Sequence, residues 1–309
     1  MKQTTQFSII IPTYNRLEFL KQAIGSVMAQ THERYEIIVI DDGSTDGTAD
    51  YLASLGNHIK VLHQANKGPA AARNIGAEQA VGNYIAFLDS DDVWPPWALS
   101  AFNTVIQDYS EPSLITAATV EFQGHVPTIS PEKVSAELFT DFFQTASDPA
   151  YVGSGALVVK RSAFNWANGF DETLYVGEDL DLYFRLGTAR NFVRVQSPVT
   201  LAYRRHDGNV STALPSQYAA AVELLAREVA GSYPGGKARR NERWRLLSRV
   251  LRSVAFSCLR NGLTPEAWHL YWQSFPMNAR LGRLRFLAGF VLYGLFGLAA
   301  GHLKPKLEA

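Results

Sequence analysis

The chain reads as an α/β protein: a mixed, mainly parallel sheet flanked by helices, with a helical extension at its C-terminal end. Three observations predict this. Over the first hundred residues, short β-branched apolar runs alternate with segments of helical spacing, which is the pattern of βαβ units. Three of those runs end in polar clusters, Thr13-Tyr14-Asn15, Asp41-Asp42 and Asp89-Ser90-Asp91-Asp92, at the strand ends where open α/β sheets bind ligands. Charge also separates along the chain: residues 1–222 hold 15 Lys/Arg and 24 Asp/Glu, whereas residues 223–309 hold 14 and 5.

The elements follow in order. Phe7–Ile11 is a β-branched strand broken by Pro12, and Leu17–Met28 carries apolar residues at helical spacing (Leu17, Leu20, Ile24, Val27). Tyr35–Ile40 is the second strand. Thr45–Leu55 reads as a helix with Ser44 or Thr45 at its N-cap and Asp46 in its first turn. Ile59–His63 is a third strand, Lys67-Gly68-Pro69 a loop, Ala70–Ala80 an Ala-rich helix and Tyr84–Leu88 a fourth strand. Beyond Trp97 the pattern loosens. Leu114–Glu121 and Gly155–Lys160 look like strands; residues 122–150 are polar and irregular, with one helix expected at Val134–Phe143. Asp179–Leu186 is helical with its acidic residues at the N-terminus, where the dipole favours them. Phe192–Val195 and Val199–Arg204 are further strands.

From about residue 215 the chain is helical and basic. In 237–260, Leu247, Val250, Leu251, Val254 and Cys258 recur at helical spacing while arginines fill the other faces, which describes a basic amphipathic helix. Phe286–Gly301 carries no charge and is flanked by Arg283, Arg285, Lys304 and Lys306. It falls short of the ~20 residues that cross a bilayer. Interfacial or re-entrant membrane contact is one reading, a buried helix or oligomer seam the other, and a true span a third. The sequence thus divides into residues 1–222, with a regular half over about 1–100 and a looser half over about 101–222, and a basic, partly apolar extension over 223–309.

Composition narrows the function. Cys258 is the only cysteine, so no intrachain disulfide or Cys-based zinc site forms, and a reducing cytoplasm is the simplest location. No basic leader followed by a long apolar stretch opens the chain. The positive extension calls for an anionic partner. It lacks a readable nucleic-acid motif, so nucleic acid is not expected. Alternation of basic and apolar stretches favours peripheral contact through 237–303 with the inner face of the cell membrane.

The acidic tetrad after Tyr84–Leu88 carries the chemistry. Carboxylates this close repel unless a cation lies among them, and Mg²⁺ or Mn²⁺ takes one or two carboxylates together with substrate phosphates. An acidic turn capping the next helix is the plainer reading. Trp94, just beyond, either stacks on a bound ligand or packs the core.

At this point the chain resembles glycosyltransferase family 2, inverting enzymes of GT-A fold. The matching stretches are Ser8 to Arg16, Val39 to Asp46, Asn66-Lys67-Gly68-Pro69 with Ala72-Arg73-Asn74, Leu88 to Asp92, Gly169-Phe170-Asp171-Glu172, Gly177-Glu178-Asp179 and Tyr203 to Ser211. They stand in family order over roughly residues 7–211. The resemblance implies that Pro12, Thr13, Tyr14, Asp41 and Asp42 hold the nucleotide, with orientation of the loop as the alternative for Asp41. Lys67 and Arg73 are implied at the diphosphate, Asp89 and Ser90 at the donor, and Asp91 and His206 at the metal. Asp179 matches the catalytic base, with Glu178 and Asp181 as its competitors; a structural role is the alternative for His206. The implied activity is transfer of a sugar from a nucleoside-diphosphate donor, a UDP-sugar first, to a hydroxyl of a saccharide or lipid-linked saccharide in surface polysaccharide or glycolipid assembly. A divalent cation, Mn²⁺ or Mg²⁺, is the implied cofactor. A nucleotide-sugar-binding scaffold without turnover is the alternative.

Overall fold

The structure is a computed structural model that describes residues 5–149, 153–206, 208 and 213–297. Ten strands and ten α-helices are formed among the described residues. Strands β1 (Phe7–Thr13), β2 (Tyr35–Asp41), β3 (Lys60–His63) and β4 (Tyr84–Phe87) pair in parallel, β1 lying between β2 and β4 and β3 outside β2. Helices α1 (Leu17–Met28), α2 (Thr48–Ser54) and α3 (Pro69–Glu78) make the crossovers. Every residue of β1 and β4 is buried, as expected for strands covered on both faces. Gly76 brings α3 close: a Cβ there would come within 2.6 Å of both Ile10 on β1 and Ile40 on β2.

The second half continues the same sheet with mixed direction. Helix α4 (Ala98–Asp108) leads to β5 (Leu114–Thr116), and the sheet runs β3-β2-β1-β4-β8-β5-β9-β7. In it β8 (Leu157–Lys160) is antiparallel to β4 and β5, β9 (Phe192–Ser197) is parallel to β5, and β7 (Ser135–Phe139) is an antiparallel edge on β9. Strand β6 (Thr119–Phe122) leaves this sheet and pairs with β10 (Leu201–Arg204). Helices α5 (Arg161–Trp166) and α6 (Glu178–Arg185) follow β8.

Three expectations are corrected here. The single strand over Leu114–Glu121 is two, in different sheets. The helix at Val134–Phe143 is the edge strand β7 followed by a 3-10 turn at Phe142–Ser147; pairing with β9 overrides a local preference that no neighbouring sequence reveals. The helix after β2 starts at Thr48 with Gly47 in the left-handed region at its N-cap, so neither Ser44 nor Thr45 caps it.

The chain divides into two compact units, Met1–Val210 and Ser211–Ala309. The division precedes α7 (Leu214–Ala230), inside which residue 222 lies. The second unit adds α8 (Arg240–Arg260), α9 (Thr264–Arg280) and α10 (Leu284–Leu292), the last running into a π-turn at Tyr293–Gly297. Its core holds a saturated ion pair: Arg243 donates through Nε to Glu228 Oε2 (2.6 Å), Trp244 Nε1 donates to Glu228 Oε1 (2.9 Å), and the other guanidinium nitrogens reach the carbonyls of Pro234 and Gly236. No described helix is long and apolar enough to cross a membrane. The uncharged run Phe286–Gly301 is therefore a short helix and π-turn as far as Gly297, and its last residues lie outside the described residues.

Candidate active site

Loops after β1 and β2 tie each other in place. Asn15, with φ +50°, donates its backbone N–H to Ser44 Oγ (3.0 Å) and accepts the Thr45 N–H on Oδ1 (2.7 Å). Asp41 accepts the Ser44 N–H (2.9 Å) and lies 3.2 Å from His63 Nδ1. Asp42 accepts Gln64 Nε2 (2.6 Å) and the Lys67 N–H (2.9 Å) on one oxygen and the Gly68 N–H (2.9 Å) on the other. Both carboxylates thus shape the loops, Asp42 holding the turn before α3, where Gly68 takes φ +90°. Pro12 and Thr13 are buried at the end of β1. Tyr14 is 46% exposed and Lys67 is exposed, so these two are the candidates left facing solvent.

Arg73 stands at the centre. Buried on α3, it donates through Nη1 to Glu178 Oε1 (2.8 Å) and through Nη2 to Asp89 Oδ1 (2.7 Å), with its guanidinium 5.4 Å from the centre of the Phe170 ring. The side chain expected at a diphosphate therefore bridges the end of β4 and the start of α6. Asn74, the next residue, fixes the approach to α6: it accepts the Phe170 N–H (2.8 Å) and donates to the Phe170 carbonyl (2.9 Å) and to Glu172 (3.0 Å). Gly169, at φ +67°, leaves no room for a Cβ, which would fall 2.6 Å from Asn74 Oδ1.

The acidic turn is compact. Asp91 is buried, and its Oδ2 accepts Arg16 Nη1 and lies 2.9 Å from His206 Nε2. Because His206 Nδ1 accepts the Gly208 N–H (3.1 Å), Nε2 is the ring nitrogen that carries a proton toward Asp91. His206 in this arrangement orients the carboxylate. Asp92 is 1% exposed; its Oδ1 accepts the Arg204 N–H (2.8 Å), and its buried Oδ2 has no hydrogen-bond partner. Burial, with Asp89 and Asp91 beside it, raises its pKa well above the usual carboxylate range. A Cβ at Gly155 would lie 3.1 Å from Asp89 Oδ2 and 3.2 Å from Asp92 Oδ2, so a bare glycine keeps space beside both oxygens. Ser90 is buried within the turn, and Trp94 is a core residue edge-on to Phe102.

A hard divalent cation fits this donor set. Three carboxylates lie within four residues, one has an orphaned buried oxygen, and cationic side chains already sit on the other two. Among the described residues no three His, Cys, Asp or Glu side chains form a ready cage.

Asp179 opens α6 beside the Arg73 bridge. It is partly buried, and its Oδ1 accepts the Leu180 N–H (2.6 Å). Burial first, then the neighbouring Glu178 carboxylate, push its pKa up to about 7, with Asp89 adding to the rise. Glu178 is committed to Arg73, and Asp181 is fully buried and bonded to Arg185 Nε (2.6 Å), which also reaches the Gly169 carbonyl (2.7 Å). Of the three acids on this turn, Asp179 is the one without a cationic side-chain partner among the described residues.

Four contributors escaped the sequence reading: Arg16 on Asp91, Asn74 on the Gly169 turn, Ser154 with a long contact to Asp89 (3.5 Å), and Gly155 beside the acidic turn. Arg16 and Asn74 lie inside motifs already singled out. Ser154 and Gly155 lie at the start of the strand expected over Gly155–Lys160, where no local motif marks them as site residues.

A mainly parallel sheet with an acidic turn at the end of β4 and a carboxylate of raised pKa opening α6 has the architecture of a GT-A glycosyltransferase. The chain belongs to glycosyl transferase family 2, whose model matches residues 8–163. An uncharacterized glycosyltransferase of Rickettsia conorii is 52% identical over 92 residues, 29% of this chain and 15% of that protein. A putative teichuronic acid biosynthesis glycosyltransferase, TuaG of Bacillus subtilis, is 44% identical over 91 residues, 28% of this chain and 36% of its own. The chain thus spans well under two thirds of these relatives. Among solved structures, S. aureus TarS 1–349 in complex with UDP superimposes with TM-score 0.61 at 20% identity, over 80% of this chain and 71% of that one. The mannosyltransferase PcManGT of Pyrobaculum calidifontis, in complex with GDP-Man and Mn²⁺, gives TM-score 0.54 at 17% identity, over 96% and 88%. At such identities these two show the fold.

Proposed function

We propose that the chain is an inverting glycosyltransferase that uses a nucleoside-diphosphate sugar, with Asp179 as general base. The observation that carries this is the state of Asp179: a carboxyl with pKa about 7, free of a cationic partner, one residue from the Arg73 bridge to Asp89. A base poised near the working pH is the efficient choice for taking a proton in the transition state. The acceptor hydroxyl oxygen attacks the anomeric carbon and its proton passes to Asp179. The bond from the anomeric carbon to the diphosphate breaks on the opposite side, and the nucleoside diphosphate leaves with the electron pair. One displacement inverts the configuration and leaves no covalent sugar on the enzyme.

Asp91, with Asp89 beside it, would hold the divalent cation, Mn²⁺ or Mg²⁺, with His206 and Arg16 orienting Asp91. When bound, that ion supplies Lewis-acid stabilisation of the departing diphosphate. Tyr14 packs against the base, Lys67 faces the phosphates, and Asp41 and Asp42 fix the loops that carry them. UDP with TarS and GDP-Man with PcManGT support a nucleotide-sugar donor, and a UDP-sugar is our first candidate. TuaG, by its name a teichuronic acid enzyme, supports a saccharide or lipid-linked saccharide acceptor in surface polysaccharide assembly. Peripheral contact of 237–303 with the inner face of the membrane would bring the chain to such an acceptor.

The test is release of nucleoside diphosphate from a panel of UDP- and GDP-sugars with Mn²⁺ present. We expect release that stops on chelation and in Asp91→Asn. Release that survives both contradicts the metal–donor assignment, and no release from any donor with any acceptor extract contradicts the enzyme reading.

A further inference from the structure

We propose that Tyr175 forms a wall of the subsite for the transferred sugar, its ring taking the C–H face of that sugar and so deciding how firmly a donor is held beyond its nucleotide. This rests on the donor and base reading above and adds to it a contact residue outside every motif singled out in the sequence.

The chain fixes this ring from both sides. Ahead of it, Asp171 Oδ1 accepts the Thr173 N–H (2.9 Å) and the Thr173 hydroxyl (2.7 Å), and the Asp171 carbonyl accepts the Leu174 N–H (3.2 Å). Leu174 itself is buried. Behind it, Gly177 takes φ +82° at the N-cap of α6 and Glu178 is bonded to Arg73. Tyr175 therefore stands on a segment anchored at each end. One edge of its ring lies against Gly68: a Cβ on that glycine would be 3.6 Å from Tyr175 Cδ2 and 3.7 Å from Cε2. Gly68 is held in turn, its N–H donated to Asp42 Oδ2 (2.9 Å) and its carbonyl accepting the Ala72 N–H (3.1 Å) in the first turn of α3. Yet Tyr175 is 59% exposed. Contact along one edge leaves most of a large, rigid ring in solvent, so filling the core is not its task.

Its position supplies the task. Gly68 follows Lys67, which faces the phosphates in the reading above, and Tyr175 precedes the base Asp179 by four residues. In a single displacement the anomeric carbon lies between the departing diphosphate and the attacking hydroxyl. The transferred sugar therefore occupies the space between the phosphate side and the base. A ring that touches the Lys67–Gly68 turn and sits on the segment leading to Asp179 flanks that space. The chemistry agrees. A pyranose carries its hydroxyls around the rim and C–H groups on its faces, and an aromatic ring offers such a face a broad apolar surface. Tyr does so at low cost in conformational entropy, having two χ angles to fix, and its hydroxyl stays available to the sugar's rim. Arg73 and Glu178, bonded to each other close by, offer no comparable apolar surface.

Calorimetric titration of the full chain with Mn²⁺ present tests this, comparing UDP with UDP-glucose and UDP-N-acetylglucosamine, and GDP with GDP-mannose. We expect the wild type to hold at least one sugar nucleotide more tightly than its bare nucleoside diphosphate. Tyr175→Ala should lose that gain, binding the same sugar nucleotide roughly ten-fold more weakly, while its affinity for the bare nucleotide stays at the wild-type level and reports that it is folded. Tyr175→Phe should keep most of the gain. Trp166, 62% exposed at the end of α5, is the control: Trp166→Ala should bind every ligand as the wild type does. Wild-type affinity of Tyr175→Ala for the sugar nucleotide, or a wild type that gains nothing from the sugar, overturns the assignment of Tyr175 while leaving the transferase reading intact. An equal loss for bare nucleotide and sugar nucleotide makes Tyr175 a support for the Gly68 turn and also overturns the proposal. No binding of any nucleotide by the wild type overturns the donor reading together with it.

Discussion

Asp179 is where single residues decide the chemistry, and its raised pKa has two measurable consequences. Below pH about 7 it is protonated and cannot take the acceptor's proton. The rate should therefore climb with pH and level off above an apparent pKa near 7. In Glu178→Gln, which removes the like charge beside it, that limb should move to lower pH; a limb that stays put would assign the profile to another group. The second consequence is for stability. From the ordinary value of 3.8 the fold raises this pKa, so any stability linked to the proton is present below about pH 4 and lost as pH rises through about 7. Asp179→Asn should thus raise Tm at pH 8 and leave it unchanged at pH 4, measured by calorimetry. Arg73 acts in the opposite sense. Its removal in Arg73→Met leaves Asp89 and Glu178 facing each other without their shared cation, a loss of about 3–5 kcal/mol for a broken buried pair, to be read from denaturant unfolding. Carboxylates at strand and helix ends were legible in the sequence because position alone makes them suspicious. Arg73 stood out in the sequence as a guanidinium near a helix start, but not as a bridge, because its partners lie 16 and 105 residues away.

Among elements, those that read clearly are those whose own residues determine them. Helix α1 carries apolar periodicity that matches its one buried face, and β1, β4 and most of β2 are apolar runs that match their burial. Strands β6 and β7 do not, because each is stabilised by a partner far along the chain, β10 and β9 respectively. Helices α4 and α5 also went unassigned: α4 does carry Leu99, Phe102, Val105 and Ile106 at helical spacing, whereas α5 has only six residues and one buried apolar side chain, Phe164. Packing of α6 against the 3-10 turn gives a test at this scale. A Cβ on Gly187 would lie 2.0 Å from Phe143 Cζ, and Phe143 is itself fully buried. Gly187→Ala should therefore cost about 1–3 kcal/mol or more by overpacking, and it should lower activity by shifting α6. A variant with wild-type Tm would mean that the Phe143 ring moves aside freely.

On the scale of the whole molecule, the sequence separates an acidic body from a basic extension, and the structure separates two compact units near the same place. The first unit brings acidic clusters to one end of its parallel strands, and the bridge Asp89–Arg73–Glu178 joins the end of β4 to the start of α6. The fold and the acidic turns at its strand ends were readable because they rest on local motifs in order. The acceptor side was not, since residues 122–176 carry few periodic signals and the turns there are held by distant partners such as Asn74 and Arg185.

The most direct measurement of the central claim is sugar transfer by wild type and Asp179→Asn under saturating donor and Mn²⁺, alongside calorimetric binding of the nucleoside diphosphate. The account predicts unchanged nucleotide affinity and a kcat lower by roughly 10²–10⁴-fold, the usual contribution of a general base. Full turnover by Asp179→Asn would contradict it.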